Sequence, residues 1–342
     1  MAQAICKEAL LRQDYIQEKI STIYFGGGTP SLLQIVDLRL QIDTIKRLFI
    51  VDDDAEITLE SNPDDISADK LTAWKDAGIN RLSIGVQSFF EEDLLWMNRA
   101  HDAEQALQSI KLTQQAGFDN ITIDLIYGTP TLSDEQWQQN VQTAIGLNIP
   151  HLSCYALTVE PKTALDKMIA AQKMPPVDPE KQGRHFELLM LWLQQAGYEH
   201  YEISNFAKPG LRSKHNSSYW QGKHYLGLGP SAHSFNGNSR QWNIANNTLY
   251  IKSIEGGTVP FEIEELTTTQ QLNEYIMTSL RTTEGLSLAW VGQNWGNANA
   301  ELIGKEATVY LKDEKAVLHN GHIILTGKGK LFADGIAADL FR

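Results

Sequence analysis

The sequence contains little cysteine, no long apolar run and fewer basic than acidic residues. Cys6 and Cys154 are its only cysteines, too few for a disulfide framework or for holding a metal cluster alone. We therefore expect each to be a small buried hydrophobe or a bystander. No stretch approaches the roughly 18 consecutive apolar residues of a membrane span, and polar residues interrupt the N-terminal segment, unlike a secretory signal. These absences predict a cytoplasmic protein.

The charge balance argues against one class of partner. Among the 342 residues, 42 are acidic and 29 are basic, which gives a formal net charge of −13 at pH 7. Such a charge disfavours non-specific binding to nucleic acid or to anionic membranes, although it leaves room for a local basic site. We expect no nucleic-acid partner.

Five short β-rich apolar runs alternate with helix-like segments in the first half of the chain. The runs are residues 22–25, 56–60, 81–86, 121–126 and 151–157. The helix-like segments between them are residues 34–49, 67–78, 103–117 and 134–147. This alternation predicts an α/β fold of βαβ units with a parallel sheet, either open or closed into a barrel. A further helix-like segment, residues 2–19, precedes the first strand, so either it caps the sheet edge or the first half of a βα unit is absent.

Polar residues and glycines follow the predicted strands at their carboxyl ends. In parallel α/β proteins this edge of the sheet binds ligands and carries out chemistry. The pattern therefore favours one shared site over five unrelated features. The residues concerned are Gly26, Gly27, Gly28, Thr29, Glu60, Gln87, Asp124 and Ala156.

The alternation of strands and helices ends after Pro161. Residues 180–197 are predicted to form an amphipathic helix, and residues 201–247 are predicted to be irregular, yet too aromatic for a disordered linker. From about residue 266 we predict three helices, a hairpin at Asn320-Gly321 and a terminal helix, which together suggest a small winged-helix-like unit. Because that unit has few basic residues, a structural or protein-contact role is favoured over nucleic-acid binding. We divide the chain into residues 1–165, 166–260 and 261–342.

The glycine run has two interpretations. Gly26, Gly27 and Gly28 lack the pattern of a nucleotide P-loop or of a dinucleotide fold, so a tight strand-to-helix turn would explain them. Alternatively, their exposed backbone groups bind a small polar ligand, with Thr29 adding a hydroxyl.

The polar side chains at the other strand ends also have two interpretations. Asp124 stands in an apolar run, and a buried carboxylate needs hydrogen-bond donors from the protein or from a ligand. Either an internal network stabilises the barrel mouth, or Glu60, Gln87, Arg99 and Asp124 together hold a zwitterion and a ribose.

These motifs are similar to those of a known family. FGGGTP, TLESNP, GVQSF, NRAH and DLIYGTP resemble the radical S-adenosylmethionine proteins related to oxygen-independent coproporphyrinogen III oxidase. YEISNFA, HNSSYW, YLGLGPSAHSF and LFADGIAADLF narrow the resemblance to the HemW group, the haem-chaperone branch, over essentially the whole chain. The resemblance implies a partial (β/α)6 barrel lacking its first strand, followed by a HemW-type C-terminal region.

The resemblance also implies ligand contacts. Residues 26–29 would receive the methionyl end of S-adenosylmethionine, and Glu60 and Arg99 would lie near its amino and carboxylate groups. Gln87 and Asp124 would contact the ribose, and the backbone near Ala156 would approach the adenine. HNSSYW would contact haem through the aromatic rings of Tyr219 and Trp220, with Asn216 beside them. Within the same motif, His215 is a candidate axial ligand of the haem iron. The nearby His224 and His233 are weaker candidates for that ligand. Haem could instead sit elsewhere, with HNSSYW packing between the barrel and the C-terminal region.

The sequence departs from this family at one point. Family members carry a Cys-x-x-x-Cys-x-x-Cys motif after the first strand, whose thiolates hold a [4Fe–4S] cluster. No such motif occurs here, so we expect no cluster in this chain, and we interpret the sequence as truncated before the motif.

Three functions are compatible with the sequence. The leading one is a haem chaperone that passes haem to acceptor haemoproteins. Its partners could include membrane haemoproteins, which it would contact peripherally. The sequence does not indicate its oligomeric state. The second is an oxygen-independent coproporphyrinogen III oxidase, against which HNSSYW argues. The third is a cofactor-free barrel remnant with a binding role only.

Overall fold

A computed structural model describes residues 1–342, and its main feature is a curled seven-stranded sheet that forms a half-barrel. Five strands run parallel in chain order, each paired with the next. They confirm the predicted βαβ arrangement. They are β1 (Ile20–Phe25), β2 (Val51–Ser61), β3 (Arg81–Gln87), β4 (Ile121–Tyr127) and β5 (His151–Ala156).

Helices precede and follow these strands. Capping boxes fix the starts of two of them: Asp102 pairs with Gln105, and Ser133 pairs with Gln136. Because the helices cover the outer face, they bury its apolar side chains. The helices are α1 (Ala2–Leu11), α2 (Ile35–Leu48), α3 (Ala68–Asp76), α4 (Glu91–Trp96), α5 (Ala103–Gln115) and α6 (Asp134–Gly146).

Side chains alternate strictly between the two faces of the sheet. On β2, Ile57 and Leu59 enter the main hydrophobic core, whereas Glu56, Thr58 and Glu60 point the other way. The neighbouring strands repeat this period of two. The inner, concave face of the half-barrel is therefore polar, and it provides the side chains of the candidate site.

The middle of the chain corrects one prediction. Residues 201–247 are not irregular, because they contain four strands and a helix. The strands have only three to five residues each, too short for a clear period-two pattern. The elements from residue 164 to 265 are α7 (Ala164–Ala170), α8 (Pro179–Gln195), β6 (Glu199–Glu202), β7 (Asn205–Ala207), α9 (Lys214–Trp220), β8 (His233–Phe235), β9 (Ser239–Asn243), α10 (Asn247–Glu255) and β10 (Phe261–Glu265).

The short strands belong to two different sheets. β7 pairs antiparallel with β5 and β6 pairs with β7, so this hairpin completes the seven-stranded sheet. β8, β9 and β10 form a separate antiparallel sheet with β9 in the centre.

The C-terminal part has its own hydrophobic core and a three-stranded sheet, consistent with the expected winged-helix-like unit. The predicted hairpin is confirmed, with Asn320 at φ 51° and Gly321 at φ 77°. The division of the chain at residues 165 and 260 stays a prediction. The elements are α11 (Thr268–Leu280), β11 (Leu286–Ser287), α12 (Leu288–Trp295), α13 (Asn297–Glu306), α14 (Thr308–Lys312), β12 (Ala316–His319), β13 (His322–Leu325), α15 (Gly327–Lys330) and α16 (Ala333–Asp339).

None of these helices combines the length and the apolar character that crossing a bilayer requires.

A buried carboxylate attaches α1 to the separate sheet. Glu8 is fully buried, and its oxygens accept hydrogen bonds from the amide of Gly229 (2.8 Å), Nδ2 of Asn243 (2.7 Å) and the hydroxyl of Tyr250 (2.5 Å). Arg12 lies 3.5 Å away and supplies the compensating charge. The helix thus holds β9 and the loop before β8 in position beside the half-barrel.

We predict that Glu8→Ala destabilises the protein by about 3–5 kcal/mol, because it leaves three donors and a buried guanidinium without their acceptor. Equilibrium urea unfolding followed by circular dichroism measures the loss. Glu92→Ala is the matched control, since Glu92 is exposed and makes no side-chain hydrogen bond. Equal unfolding midpoints for the two variants would contradict the anchoring role.

Candidate functional site

The carboxyl ends of the first four strands surround a small polar cavity of about 190 Å³. Six of the residues predicted from the strand ends and from the motifs line it together: Gly28, Thr29, Glu60, Gln87, Arg99 and Asp124. The prediction that these residues share one site is therefore consistent with their positions. The other lining residues are Pro30, Ser31, Ser61, Asn62, Ser83 and Gly85.

The glycine loop forms the wall of this cavity. A side chain at Gly26 would come within 2.7 Å of the Glu60 carboxylate and 2.6 Å of the Tyr24 ring, so Gly26 is required by packing. Gly27 adopts φ 76°, and open space lies beside Gly27 and Gly28, where side chains would otherwise project. Gly26 is therefore needed for packing, whereas Gly27 and Gly28 leave open space beside the loop.

Two charged side chains face the cavity. The Tyr24 hydroxyl donates to Oε1 of Glu60 over 2.7 Å, which orients the carboxylate. Nη2 of Arg99 donates to Oδ1 of Asn62 (2.9 Å) and to the carbonyl of Gly85 (3.2 Å). Nε of Arg99 is buried without a partner, as is the hydroxyl of Ser61. Unpaired buried donors of this kind are satisfied when a polar ligand binds.

Asp124 has an altered acidity. Burial and the nearby Glu60 carboxylate raise the pKa of Asp124 to about 7. Burial also lowers the pKa of Arg99 from its ordinary value. At neutral pH Asp124 can therefore both donate and accept a hydrogen bond, which suits a ligand hydroxyl. The cavity as a whole suits a zwitterion joined to a hydroxylated group.

Ala156 does not line this cavity. It lies at the carboxyl end of β5, paired with Tyr127, three residues beyond the Asp124–Ser153 pair. Its carbonyl accepts a hydrogen bond from the hydroxyl of Thr158 over 3.4 Å. The predicted backbone contact at this position stays a prediction.

A second, larger cavity of about 1020 Å³ lies on the other side of the glycine loop. Gly26, Gly27 and Pro30 line it, together with β1, α2 and the segment from residue 215 to 233. Nearly half of its lining residues are hydrophobic. Cofactor sites occupy roughly 300–1,000 Å³ and are mostly apolar, so this cavity could hold a large flat ligand and the polar one could not.

His215 and Tyr219 line the larger cavity, and His215 is held firmly. Its Nδ1 lies 2.9 Å from the hydroxyl of Thr22, its Nε2 lies 3.1 Å from the hydroxyl of Tyr219, and its ring stacks on Tyr24 with centroids 4.5 Å apart. Burial lowers the pKa of His215 to about 4, so the ring is neutral at pH 7. Its role as an iron ligand stays a prediction.

Asn216 and Trp220 do not line the cavity. The amide of Asn216 donates to the Ser213 hydroxyl over 3.1 Å, which caps the start of α9. Trp220 lies beneath the guanidinium of Arg281, 5.2 Å from the ring centroid. Of the four HNSSYW residues predicted to contact haem, His215 and Tyr219 therefore line the cavity. Asn216 instead caps α9, and Trp220 packs against Arg281.

Sequence reasoning missed three residues that shape the site: Tyr24, Glu56 and Asn62. Glu56 accepts hydrogen bonds from the amides of His215 (2.9 Å) and Lys214 (3.1 Å). The period-two pattern of β1 and β2 places Tyr24 and Glu56 on the inner face, so the alternation could have indicated both. Asn62 lies within the motif TLESNP, and its side chain accepts a hydrogen bond from Arg99.

The two cysteines do not fit a cluster site. Cys6 is on α1, and Cys154 is buried on β5, where burial raises the pKa of its thiol. No group of three cysteine, histidine or acidic side chains is arranged to hold a metal ion.

Comparison with known proteins yields matches in both halves of the chain. Residues 6–144 match the Radical SAM superfamily, and residues 266–332 match the HemN C-terminal domain. The heme chaperone HemW of Bacillus subtilis (strain 168) is 36% identical over 326 residues, which cover 94% of this chain and 85% of that protein. HemW of Mycobacterium tuberculosis (strain ATCC 25618 / H37Rv) is 33% identical over 322 residues, 94% of this chain and 80% of that protein.

A solved structure is similar along nearly the whole chain. Coproporphyrinogen III oxidase (HemN) from Escherichia coli, described as a radical SAM enzyme, superposes with a TM-score of 0.84 at 24% identity. The match covers 99% of this chain and 82% of that chain. At this identity it shows a shared fold.

We predict that the stability of the protein falls as the pH rises from about 4 to 7, relative to Asp124→Asn. The folded-state pKa of Asp124 is raised to about 7 from the unfolded value of 3.8, so the folded state retains a proton that the unfolded state has released. Three pKa units correspond to at most roughly 4 kcal/mol. Urea unfolding at about pH 4, 5.5, 7 and 8, values that span the two pKa values of this carboxyl, measures the difference. A difference between the two proteins that does not change with pH would contradict the assignment.

Proposed function

Because the chain belongs to the HemW family of radical S-adenosylmethionine proteins, we propose that it is a haem chaperone, which binds haem and transfers it to haem-accepting proteins. The observation that carries this proposal is the larger cavity, whose wall includes His215 and Tyr219 of HNSSYW. Its size, its hydrophobic lining and its histidines match what a porphyrin with a central iron requires. The proposed location is the cytoplasm.

We assign the methionyl and ribose parts of S-adenosylmethionine to the polar cavity of about 190 Å³. Glu60 would accept hydrogen bonds from its ammonium group, and the unpaired Nε of Arg99 would donate to its carboxylate. Asp124 would bind the ribose hydroxyls, and the open space beside Gly28 would receive the methionyl backbone. When bound in an intact radical enzyme, this cofactor supplies a carbon radical on reductive cleavage. The residues of this chain contribute binding and orientation.

The oxidase remains the second candidate from the sequence, but no specific observation favours it. The similarity to HemN is at 24% identity and therefore concerns the fold. The curated relatives that match most of the chain are heme chaperones by name.

We predict that Gly28→Ala weakens binding of S-adenosylmethionine by about tenfold, because the added methyl group occupies the open space beside Gly28 at a cost near 1.4 kcal/mol. Isothermal titration calorimetry measures the affinity. Gly146→Ala is the matched control, since a side chain there also meets open space but lies on α6, outside the polar cavity. Equal affinities in the two variants would contradict the assignment of the methionyl backbone to this space.

We predict that haemin binds saturably, with one haem per chain and a defined Soret band. Spectrophotometric titration of the purified full chain with haemin gives the stoichiometry. A Soret change that grows linearly without saturation would contradict the chaperone proposal.

A further inference from the structure

The separate antiparallel sheet exposes one of its edge strands completely. Its strand order is β10-β9-β8, so β10 (Phe261–Glu265) pairs with β9 on one side and has an open edge on the other. All five residues of β10 are exposed, and no other strand of the chain is exposed at every residue. None of the five lines either cavity. This strand therefore belongs to neither of the sites described above.

The register of the pairing shows which backbone groups of β10 are free. Pro260, just before β10, accepts a hydrogen bond from the β9 side over 3.0 Å, and Leu266, just after it, donates one over 2.8 Å. In an antiparallel ladder, alternate residues bond to the same neighbouring strand. The even-numbered residues of β10 therefore bond to β9, and Phe261, Ile263 and Glu265 direct their N–H and C=O groups toward the open edge. No group of the chain forms a hydrogen bond with them there.

The side chains of β10 combine apolar surface with negative charge. Phe261 (42% exposed) and Ile263 (49% exposed) lie on one face of the strand, and Glu262 and Glu264 lie on the other. Glu265 adds a third carboxylate at the end of the strand. No lysine or arginine forms an ion pair with any of the three carboxylates. The open edge therefore lacks compensating positive charge.

These charges argue against a second copy of the chain as the occupant of the edge. Two β10 strands that paired antiparallel about Ile263 would place Glu262 of each opposite Glu264 of the other, and like charges directly opposite each other destabilise a sheet. Both copies would also carry a net charge of −13. Charged side chains on an edge strand prevent pairing with strands of the same charge. They favour a strand of the opposite charge, so this edge is selective.

We propose that β10 binds an extended basic segment of a partner protein, which adds to the three-stranded sheet as a further strand antiparallel to β10. The outward backbone groups of Phe261, Ile263 and Glu265 supply the main-chain hydrogen bonds. Lysine or arginine side chains opposite Glu262 and Glu264 pair with the carboxylates, and apolar side chains between them cover the two apolar residues of β10. The inference is independent of haem binding, because β10 lies outside both cavities.

The probe for the test is the capped peptide Lys-Lys-Val-Lys-Val, which places a lysine opposite each glutamate of β10 in the antiparallel pairing. It is titrated into the full-length isotope-labelled protein, and the amide signals are followed by NMR. We expect saturable shifts concentrated at residues 261–265, slower hydrogen exchange at the outward amides, and weaker binding as salt is added. Shifts that do not saturate, or that lie elsewhere in the chain, would overturn the proposal.

Charge reversal tests the recognition of the basic side chains. Glu262→Lys/Glu264→Lys should bind this peptide at least about tenfold more weakly and should instead bind the peptide Lys-Glu-Val-Glu-Val. Glu187→Lys/Glu301→Lys is the matched control, because it changes the net charge equally at exposed positions on α8 and α13. Its affinity for the basic peptide should stay within roughly threefold of wild type. Equal losses in the two double variants would show that only the overall charge matters, which overturns the proposal.

Ile263→Pro tests strand addition itself. Proline removes the outward N–H at this position without removing a hydrogen bond to β9, and edge strands tolerate it. We expect the peptide to bind about fivefold more weakly, whereas an unchanged affinity would overturn strand addition. Circular dichroism establishes whether this variant is folded, and if it is not, the charge-reversed pair decides. Concentration-dependent shifts of the same amides without peptide would assign the edge to a second copy and overturn the proposal.

Discussion

The wall of the larger cavity depends on one buried carboxylate, that of Glu56 on β2. It accepts hydrogen bonds from the amides of Lys214 and His215 at the start of α9, and the buried Arg81 guanidinium lies 4.0 Å away. A carboxylate at a helix N-terminus satisfies amides that have no partner within the helix. Since α9 carries HNSSYW, this interaction fixes the motif against β1 and defines the wall of the larger cavity.

The glycine loop after β1 lets two different sites share one boundary. Gly28 faces the polar cavity, Gly26 and Gly27 face the larger one, and Pro30 contributes to both. A loop with side chains would separate the two cavities further. A charged small ligand and a large flat one can therefore bind near each other, each in an environment that suits its polarity. The molecule thus combines a radical S-adenosylmethionine fold with a haem-sized cavity.

The sequence was informative where local patterns determine the structure. The five parallel strands are predictable because each is a β-rich run and a helix-like segment separates each from the next. The grouping of Glu60, Gln87, Arg99 and Asp124 follows from strand ends and from family motifs. The short strands between residues 199 and 243 were missed, because three to five residues do not show a period. The division of HNSSYW between cavity and packing contacts was also missed, since it depends on tertiary contacts of Trp220 and Glu56.

The central claim is that haem lies between β1 and the segment from residue 215 to 233. Crystallography of the haemin-bound protein, with anomalous diffraction at the iron edge, locates the iron directly. We predict a single iron peak in the larger cavity, near the histidines that line it. An iron peak outside that cavity, or one bonded to a histidine elsewhere in the chain, would contradict the account.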